Sequence, residues 1–370
     1  MKKILLLVLL TNLLFLPAIA SDKKNPITSY EKAKILKIKN ETIKTDKNSD
    51  EPTSGNIIFT DIQKIKIEIL SGKHKNEIKI IENSLSNNPM DIKIAEGDKI
   101  LVYLEEYGQN EYSVQIQGFY VFNKLIFFIA LFFCFLIIIG GKQGLKAIVS
   151  LIISVWIILK IFIPQALTGF NPISLALITA IAITFISLTL ISGFKKKTFS
   201  AISGTISGLI IAAIFAIIAG KLTHLNGLSN ENARTLFSQF PNLNFSGLLF
   251  AGIIIGALGA VMDVAMSISS SISEVKKAHP EIGKYKLIKS GMTVGKDIMG
   301  TMSNTLIFAY TGSSIFLLLL FSQYGESYMK FLNFNFVAEE IIRSIAGSIG
   351  LILTVPLTAI IAGYLENKTK

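Results

Sequence analysis

The sequence predicts an all-α transmembrane bundle of seven helices, preceded by a small exported all-β domain. Three observations predict this architecture. Of the 370 residues, 51% are hydrophobic and only 16% are charged, a composition that is unusual for a water-soluble chain. Long apolar runs occupy the chain from about residue 121 onward, whereas residues 21–120 alternate between polar and apolar side chains. A short apolar run behind two lysines opens the chain.

The first twenty residues have the pattern of an export signal. Lys2 and Lys3 precede an apolar run from Ile4 to Leu16, and Ala18-Ile19-Ala20 follows it. This order of charge, apolar run and small residues is typical of a bacterial signal peptide that is cleaved after the last alanine. An uncleaved anchor is the alternative, although the run is short for a membrane span. Both interpretations place the following segment outside the cytoplasm.

Residues 21–120 predict a β-rich extracytoplasmic domain. Segments such as Lys64–Ile69 and Lys99–Leu104 alternate between polar and apolar residues, which is the period of a strand with one wet face. Turn residues separate these segments, so we expect an antiparallel barrel or sandwich of about five strands. We interpret Lys73-His74-Lys75 as a solvated hairpin tip, with anion binding as the alternative.

Residues 121–370 predict the transmembrane domain. A bilayer requires about 20 apolar residues per helix, and seven runs approach that length. They extend over about Asn123–Gly141, Ala147–Ile163, Pro172–Ile191, Phe199–Ala219, Gly247–Ile268, Ile298–Phe321 and Val337–Leu365.

The distribution of basic residues predicts the orientation, because cytoplasmic loops are enriched in Lys and Arg. If the first span begins outside, the inner segments carry 13 basic residues and the outer loops carry only Lys221, Arg234 and Lys330. We therefore predict a cytoplasmic-membrane protein with an extracytoplasmic amino-terminal domain and a cytoplasmic carboxyl terminus. The net charge of +11 lies beside apolar segments, which argues against nucleic acid as a partner.

Asp263 is the first candidate functional residue, because a charge in hydrocarbon costs at least about 2.5–3.5 kcal/mol. It lies in the fifth predicted span, and Ser267 follows on the same helical face. In the sixth predicted span, Asp297, Thr301 and Asn304 share one stripe. We expect Asp263 and Asn304 at matching depth, where their oxygen atoms suit a hard cation or a proton.

Structural interpretations of these residues remain open. Asp263 is alternatively an acid paired with Lys296, and Asp297 is preferentially interpreted as a cap of the sixth helix. Small residues four apart, at Gly204 and Gly208, Gly252 and Gly256 (then Ala260), and Ala346 and Gly350, predict tight helix packing.

In the seventh span, Glu339 and Arg343 are interpreted as an interfacial ion pair. With Cys134 as the one cysteine and three scattered histidines, no metal site or cofactor is predicted. No nucleophile stands beside a base, so we predict no catalytic residue and no enzyme activity.

The motifs around these acids resemble the YibE/F-like family of bacterial integral membrane proteins. The resemblance rests on GALGAVMDVAMSISSS at Gly256–Ser271 and on KSGMTVGKDIMGTMSNTLIFAYTGSS at Lys289–Ser314. It covers about residues 121–365, and the exported domain resembles the longer variety of that family. The resemblance implies a multi-pass membrane protein with no settled activity, so it carries over no site residue.

Two functions follow as hypotheses. The first is translocation of a small solute or ion across the cytoplasmic membrane, with Asp263 as the charge site and Ser267, Asp297, Thr301 and Asn304 as polar partners. The second is a non-transporting envelope sensor or assembly partner whose exported domain binds a ligand or protein. The lipid bilayer is the one partner that the sequence predicts directly, and no partner protein is identified.

Overall fold

The computed structural model describes residues 27–42, 61–85, 91–107, 111–324 and 327–367. Contacts divide the chain into two compact units, with the division between Cys134 and Phe135. The predicted signal peptide lies outside the described residues.

The amino-terminal unit contains five antiparallel strands, as the alternating pattern predicts. The strand order is β3-β2-β1-β4-β5, and every neighbouring pair is antiparallel. The strand bounds are Ile27–Thr42 for β1, Asp61–Ile69 for β2, Ile78–Leu85 for β3, Lys99–Glu106 for β4 and Tyr112–Phe119 for β5.

One face of this sheet forms a core made largely of isoleucine. Because successive strand residues point to opposite faces, the apolar members of each alternating segment fall on the same side. Side chains that are fully buried here contribute about 1.5–3 kcal/mol each. The core contains Ala33, Ile35, Ile65, Ile67, Ile69, Ile81, Ile94, Ile100, Val102, Leu104 and Tyr112.

A polar network joins the two edge strands at one end of the sheet. The Tyr112 hydroxyl donates to Glu77 Oε2 at 2.5 Å. The His74 ring stacks on Tyr112 with centroids 3.9 Å apart, and its nitrogens lie 3.0 Å from Glu77 and 3.3 Å from Glu106. Lys73 pairs with Glu106 at 2.9 Å. The interpretation of His74 as part of a solvated tip was therefore wrong, because its ring is buried and bonded to carboxylates.

This network predicts acid sensitivity of the β-domain. Hydrogen bonds from Tyr112 and His74 lower the pKa of Glu77 below its usual 4.5, and the hydrogen bond from Lys73 lowers the pKa of Glu106. A lowered folded-state pKa stabilises the fold above the unfolded-state pKa, and this stability is lost as the pH falls through the folded-state value. We expect the thermal midpoint of a 27–119 fragment to decline below about pH 4.5. A Glu77→Gln/Glu106→Gln variant should lose this pH dependence, whereas Glu82→Gln should retain it.

The second unit is helical. Its described helices, together with the helix that enters it from the first unit, are α1 (Phe122–Ile157), a π-helical turn (Ile158–Phe162), α2 (Ile163–Leu167), α3 (Pro172–Ser192), α4 (Lys196–Leu222), α5 (Glu231–Gln239), α6 (Phe245–Ala278), α7 (Lys284–Ser313), α8 (Ile315–Tyr324), α9 (Tyr328–Leu332) and α10 (Asn335–Asn367).

Five described helical segments are long and apolar enough to cross a membrane, or six if α7 and α8 form one bent span. The continuous segment Phe122–Leu167 counts once, although its backbone leaves the helical region at Gly141, with φ 52° and ψ −126°. A Cβ on Gly144 would lie 1.8 Å from the Leu136 carbonyl oxygen. Residues eight apart in a straight helix are about 12 Å apart, so the chain turns back sharply near Gly141. The count of seven spans stays a prediction.

Small residues bring α4 and α10 into close contact, as their spacing predicts. A Cβ on Gly208 would lie 1.8 Å from Thr354 Oγ1, and one on Gly350 would lie 2.6 Å from Ala212 Cβ. The prediction of tight packing was wrong for Gly252, which has no neighbour within 4 Å of its Cβ position, and at Gly256 that position meets only Tyr310. The side of α6 that carries Gly252 and Gly256 is exposed in the isolated chain.

Candidate functional site

The predicted residues of α6 lie on its exposed side. Asp263 and Ser267 are both exposed. Within the described ranges, the Asp263 carboxylate has no hydrogen bond and no ion pair, so pairing with Lys296 is not observed. The Ser267 carbonyl accepts a hydrogen bond from Ser271 Oγ at 2.9 Å.

The predicted residues of α7 are also exposed. Asp297, Thr301 and Asn304 are all exposed on this helix, which packs against α10 and α6. The Thr301 hydroxyl donates to the Ile298 carbonyl at 2.9 Å within its own helix. The interpretation of Asp297 as a helix cap was wrong, because α7 begins at Lys284 and Asp297 lies well inside it. Packing of α6 on α7 brings the two polar stripes onto adjacent helices, with no hydrogen bond between their predicted residues among those described.

A buried group of charged side chains lies instead near the start of α10. Glu339 is only 4% exposed, and its Oε2 accepts a hydrogen bond from the Ser229 hydroxyl in the loop between α4 and α5. The backbone of Gly227 also hydrogen-bonds to this carboxylate, while Oε1 is buried and has no hydrogen-bond partner among the described residues. A burial of this kind removes a carboxylate from water without fully replacing its hydrogen bonds.

Glu340 and Arg343 complete this group, which we call the charged cluster (Glu339, Glu340, Arg343, Tyr310 and Ser229). Arg343 Nη1 lies 2.9 Å from Glu340 Oε1, with side chains 28% and 17% exposed. The Arg343 guanidinium carbon lies 6.0 Å from the centre of the Tyr310 ring. Glu340 Oε2 and Arg343 Nε are buried without partners. Two carboxylates therefore accompany one guanidinium, which bonds to Glu340.

A cavity of about 300 Å³ lies beside the charged cluster, at the junction of α7 and α8. These two helices are bent by 61° at Ser314, whose N–H is shared between the Tyr310 and Thr311 carbonyls at 3.2 and 3.1 Å. The lining includes Glu340, Tyr310, Thr311, Ser314 and Ser344, with apolar side chains around them. Its oxygen atoms come from one carboxylate and several hydroxyls, and the described residues form no cluster of three or more His, Cys, Asp or Glu that could hold a metal ion.

Sequence reasoning missed most of this site. The predicted pair between Glu339 and Arg343 was wrong in its partner, because Arg343 bonds to Glu340 and Glu339 bonds to Ser229. The sequence did contain one signal for the charged cluster, which is an excess of acidic residues: two adjacent glutamates accompany one arginine in a single span. The bend at Ser314 also had a signal in the sequence, since the small polar group Thr311-Gly312-Ser313-Ser314 interrupts the apolar run there.

The comparison with known families covers both units of the chain. A family model described as YibE/F-like protein matches residues 128–368, which is more than half of the chain. A second model, the YibE/F family N-terminal domain, matches residues 27–119. No curated protein and no solved structure matches. The predicted resemblance is thereby confirmed, and the chain belongs to the YibE/F-like family.

Proposed function

We propose that this YibE/F-like membrane protein translocates a small ion or solute across the cytoplasmic membrane, with the charged cluster as its principal charge site. The observation that carries the proposal is the placement of a buried Glu339 and a half-buried Glu340 beside a single arginine, with one oxygen of each carboxylate lacking a hydrogen-bond partner among the described residues. Ionisable groups inside membrane helices are expensive, and they commonly mark ion or proton pathways.

The bent junction between α7 and α8 supports the same function. Broken membrane helices expose backbone carbonyls and helix ends, and transporters use these groups to bind substrates and ions. Here the break at Ser314 lies next to the cavity that Glu340 lines. The observed pair of Glu340 and Arg343 lies within α10 and does not connect two helices, so the acid beside the break is available as part of a binding site.

The predicted topology makes Asp263 a second charge site in this proposal. We retain seven spans, with the turn at Gly141 separating the first two, and the orientation that the basic residues predict. In that orientation α6 and α10 both begin outside. Glu340 is then about 8 Å along α10 from its first residue, and Asp263 is about 27 Å along α6 from its first residue. The charged cluster would serve the outer half of a pathway and Asp263 the inner half.

A non-transporting envelope sensor or assembly partner is the second candidate function. The observation that favours it is the exposed side of α6, where Asp263 has no polar partner among the residues that the structure describes and Gly252 and Gly259 have open space at their Cβ positions. A neighbouring membrane helix would cover such a face closely. Under this function, deletion of residues 21–117 should abolish activity in the cell while Glu340→Gln is silent.

Reconstituted vesicles test the proposed function. Purified protein is assayed against panels of cations and anions under imposed proton gradients, comparing the parent with Glu340→Gln and Asp263→Asn. We expect flux of at least one solute in the parent and a loss of tenfold or more in Glu340→Gln, because the cluster would lose its surplus charge.

The control variant is Glu231→Gln, which removes an exposed acid in α5 and should retain flux. Equal flux in the parent and in Glu340→Gln, at equal protein content, would contradict the proposal.

A further inference from the structure

We infer that the exposed face formed by α6 and α7 binds a second copy of this chain, in a symmetric pair in which the Asn304 amide of each copy donates a hydrogen bond to the Asp263 carboxylate of the other. This surface is called the α6–α7 face (Gly259, Asp263 and Ser267 in α6; Gly300, Thr301 and Asn304 in α7). The inference goes beyond the proposed function and does not depend on it. Three observations lead to it: the polarity of the face, the depth of its polar groups and the composition of the chain's own first span.

The α6–α7 face is polar, although both helices belong to candidate membrane spans. Every exposed residue between 251 and 270 in α6 is Gly, Asp or Ser, and every exposed residue between 293 and 306 in α7 is Gly, Thr, Lys, Asp or Asn. By contrast, α4 exposes Ile210, Ile214 and Ile218, as expected of a surface that contacts lipid. Polar groups against hydrocarbon are costly, so protein or water must cover the α6–α7 face.

Asp263 and Asn304 lie at similar depth on the two helices. α6 and α7 are consecutive, antiparallel helices, and a Cβ on Gly295 would lie 3.0 Å from Ile268 Cδ1. Gly300 follows Gly295 by as many residues as Asp263 precedes Ile268, so Gly300 and Asp263 are level. Asn304 lies one turn further along α7, about 6 Å away. Because Cα–Cβ bonds tilt toward the start of their own helix, the side chains of Asp263 and Asn304 lean toward a common depth.

A second copy supplies the hydrogen-bond donor that Asp263 lacks. Two copies in the same orientation hold the same groups at the same depths, so a two-fold axis normal to the membrane can bring α6 of one copy against α7 of the other. A carboxylate accepts hydrogen bonds and an Asn amide has two N–H donors. Among the described residues, neither Asp263 nor Asn304 has a hydrogen-bond partner. No described atom lies within 4 Å of the Cβ positions of Gly259 and Gly300, which allows a close approach.

The first span of the same chain does not match this face. From Leu125 to Gly140 its one polar side chain is Cys134, so it carries no N–H or O–H donor for the Asp263 carboxylate. One turn nearer the start of α7, Lys296 and Asp297 are exposed, and their opposite charges balance. A second copy therefore matches the face in donors, acceptors and depth, whereas an apolar helix would leave Asp263 unpaired.

Single-molecule photobleaching of the full-length protein in vesicles tests the inference. One fluorophore per chain, counted over a range of protein-to-lipid ratios at neutral pH, gives the fraction of dimers. We expect Asn304→Asp to weaken dimerisation about tenfold or more, because two carboxylates then face each other at each contact. Exchange of the two groups in Asp263→Asn/Asn304→Asp should restore dimerisation to within about threefold of the parent. The matched control Asn232→Asp makes the same change at an exposed position in α5 and should dimerise like the parent.

Gly259→Leu tests the same contact by shape. It fills open space in the isolated chain, so thermal melting in detergent should match the parent, while dimerisation is lost because the second copy can no longer approach. A parent that is monomeric at every protein-to-lipid ratio would overturn the inference and would leave water or a different protein on the face. Parental dimerisation of Asn304→Asp or of Gly259→Leu would also overturn it, as would an exchanged variant that dimerises no better than Asn304→Asp.

Discussion

Replacing Arg343 by glutamine is expected to destabilise the helical unit by about 3 kcal/mol. Removal of one partner of a buried ion pair typically costs about 3–5 kcal/mol, because the other charge is left uncompensated. We expect the lower end, since the Arg343 side chain retains 28% exposure. Two adjacent buried glutamates would then face each other's charge without a guanidinium. Denaturant unfolding in detergent measures the loss.

A double variant shows whether this loss is electrostatic. Adding Glu340→Gln to Arg343→Gln returns the cluster to a net charge of −1, so most of the lost stability should return. The matched control is Arg234→Gln, which changes an exposed arginine and should alter stability by less than about 0.5 kcal/mol. Parental stability in Arg343→Gln would contradict the charged cluster as described.

Gly350→Leu is expected to prevent α4 and α10 from packing. A Cβ at Gly350 would lie 2.6 Å from Ala212 Cβ and 2.9 Å from the Gly208 carbonyl oxygen, and the backbone atom cannot move aside as a flexible side chain would. Overpacking of a dense interface costs about 1–3 kcal/mol and occasionally more. A full leucine at a backbone contact should reach or exceed the upper value of about 3 kcal/mol.

Gly252→Leu is the matched control, because the structure places nothing within 4 Å of its Cβ position. It should leave the folded fraction unchanged, as measured by size-exclusion chromatography and thermal melting in detergent. If Gly252→Leu nevertheless abolishes function in the cell, the exposed face of α6 is covered by another helix, which favours the second candidate function. Equal stability of Gly350→Leu and the parent would refute the close approach of α4 and α10.

The sequence predicted the elements best where a single local pattern decides them. Period-two alternation in segments such as Lys64–Ile69 specifies strands with one buried face, and the five-strand sheet follows it. Apolar length likewise identified most of the long helices. Helix starts were less predictable. The predicted sixth span begins at Ile298, whereas α7 begins at Lys284, because an amphipathic stretch precedes the apolar run and is helical as well. Asp297 changed from a predicted cap to an interior residue for this reason.

The candidate site depended on tertiary contacts that no local pattern contains. Glu339 and Glu340 are the same residue type, and only their tertiary contacts separate their roles: Glu339 bonds to Ser229 in the loop, and Glu340 pairs with Arg343. The bend at Ser314 coincides with Thr311-Gly312-Ser313-Ser314; average hydropathy over the span hides this group, although Gly and Ser are residues at which helices commonly bend. Asp263, the strongest candidate from the sequence, is exposed and unpaired in the isolated chain, and its proposed role now depends on what surrounds α6 in the membrane.

The most direct test of the account is the transient current that follows a rapid cation-concentration jump on membranes containing the reconstituted protein. The account predicts a current in the parent that disappears in Glu340→Gln and persists in Glu231→Gln, because charge enters the membrane at Glu340. A current of equal size in Glu340→Gln, or none in the parent for protons, sodium or potassium, would contradict it.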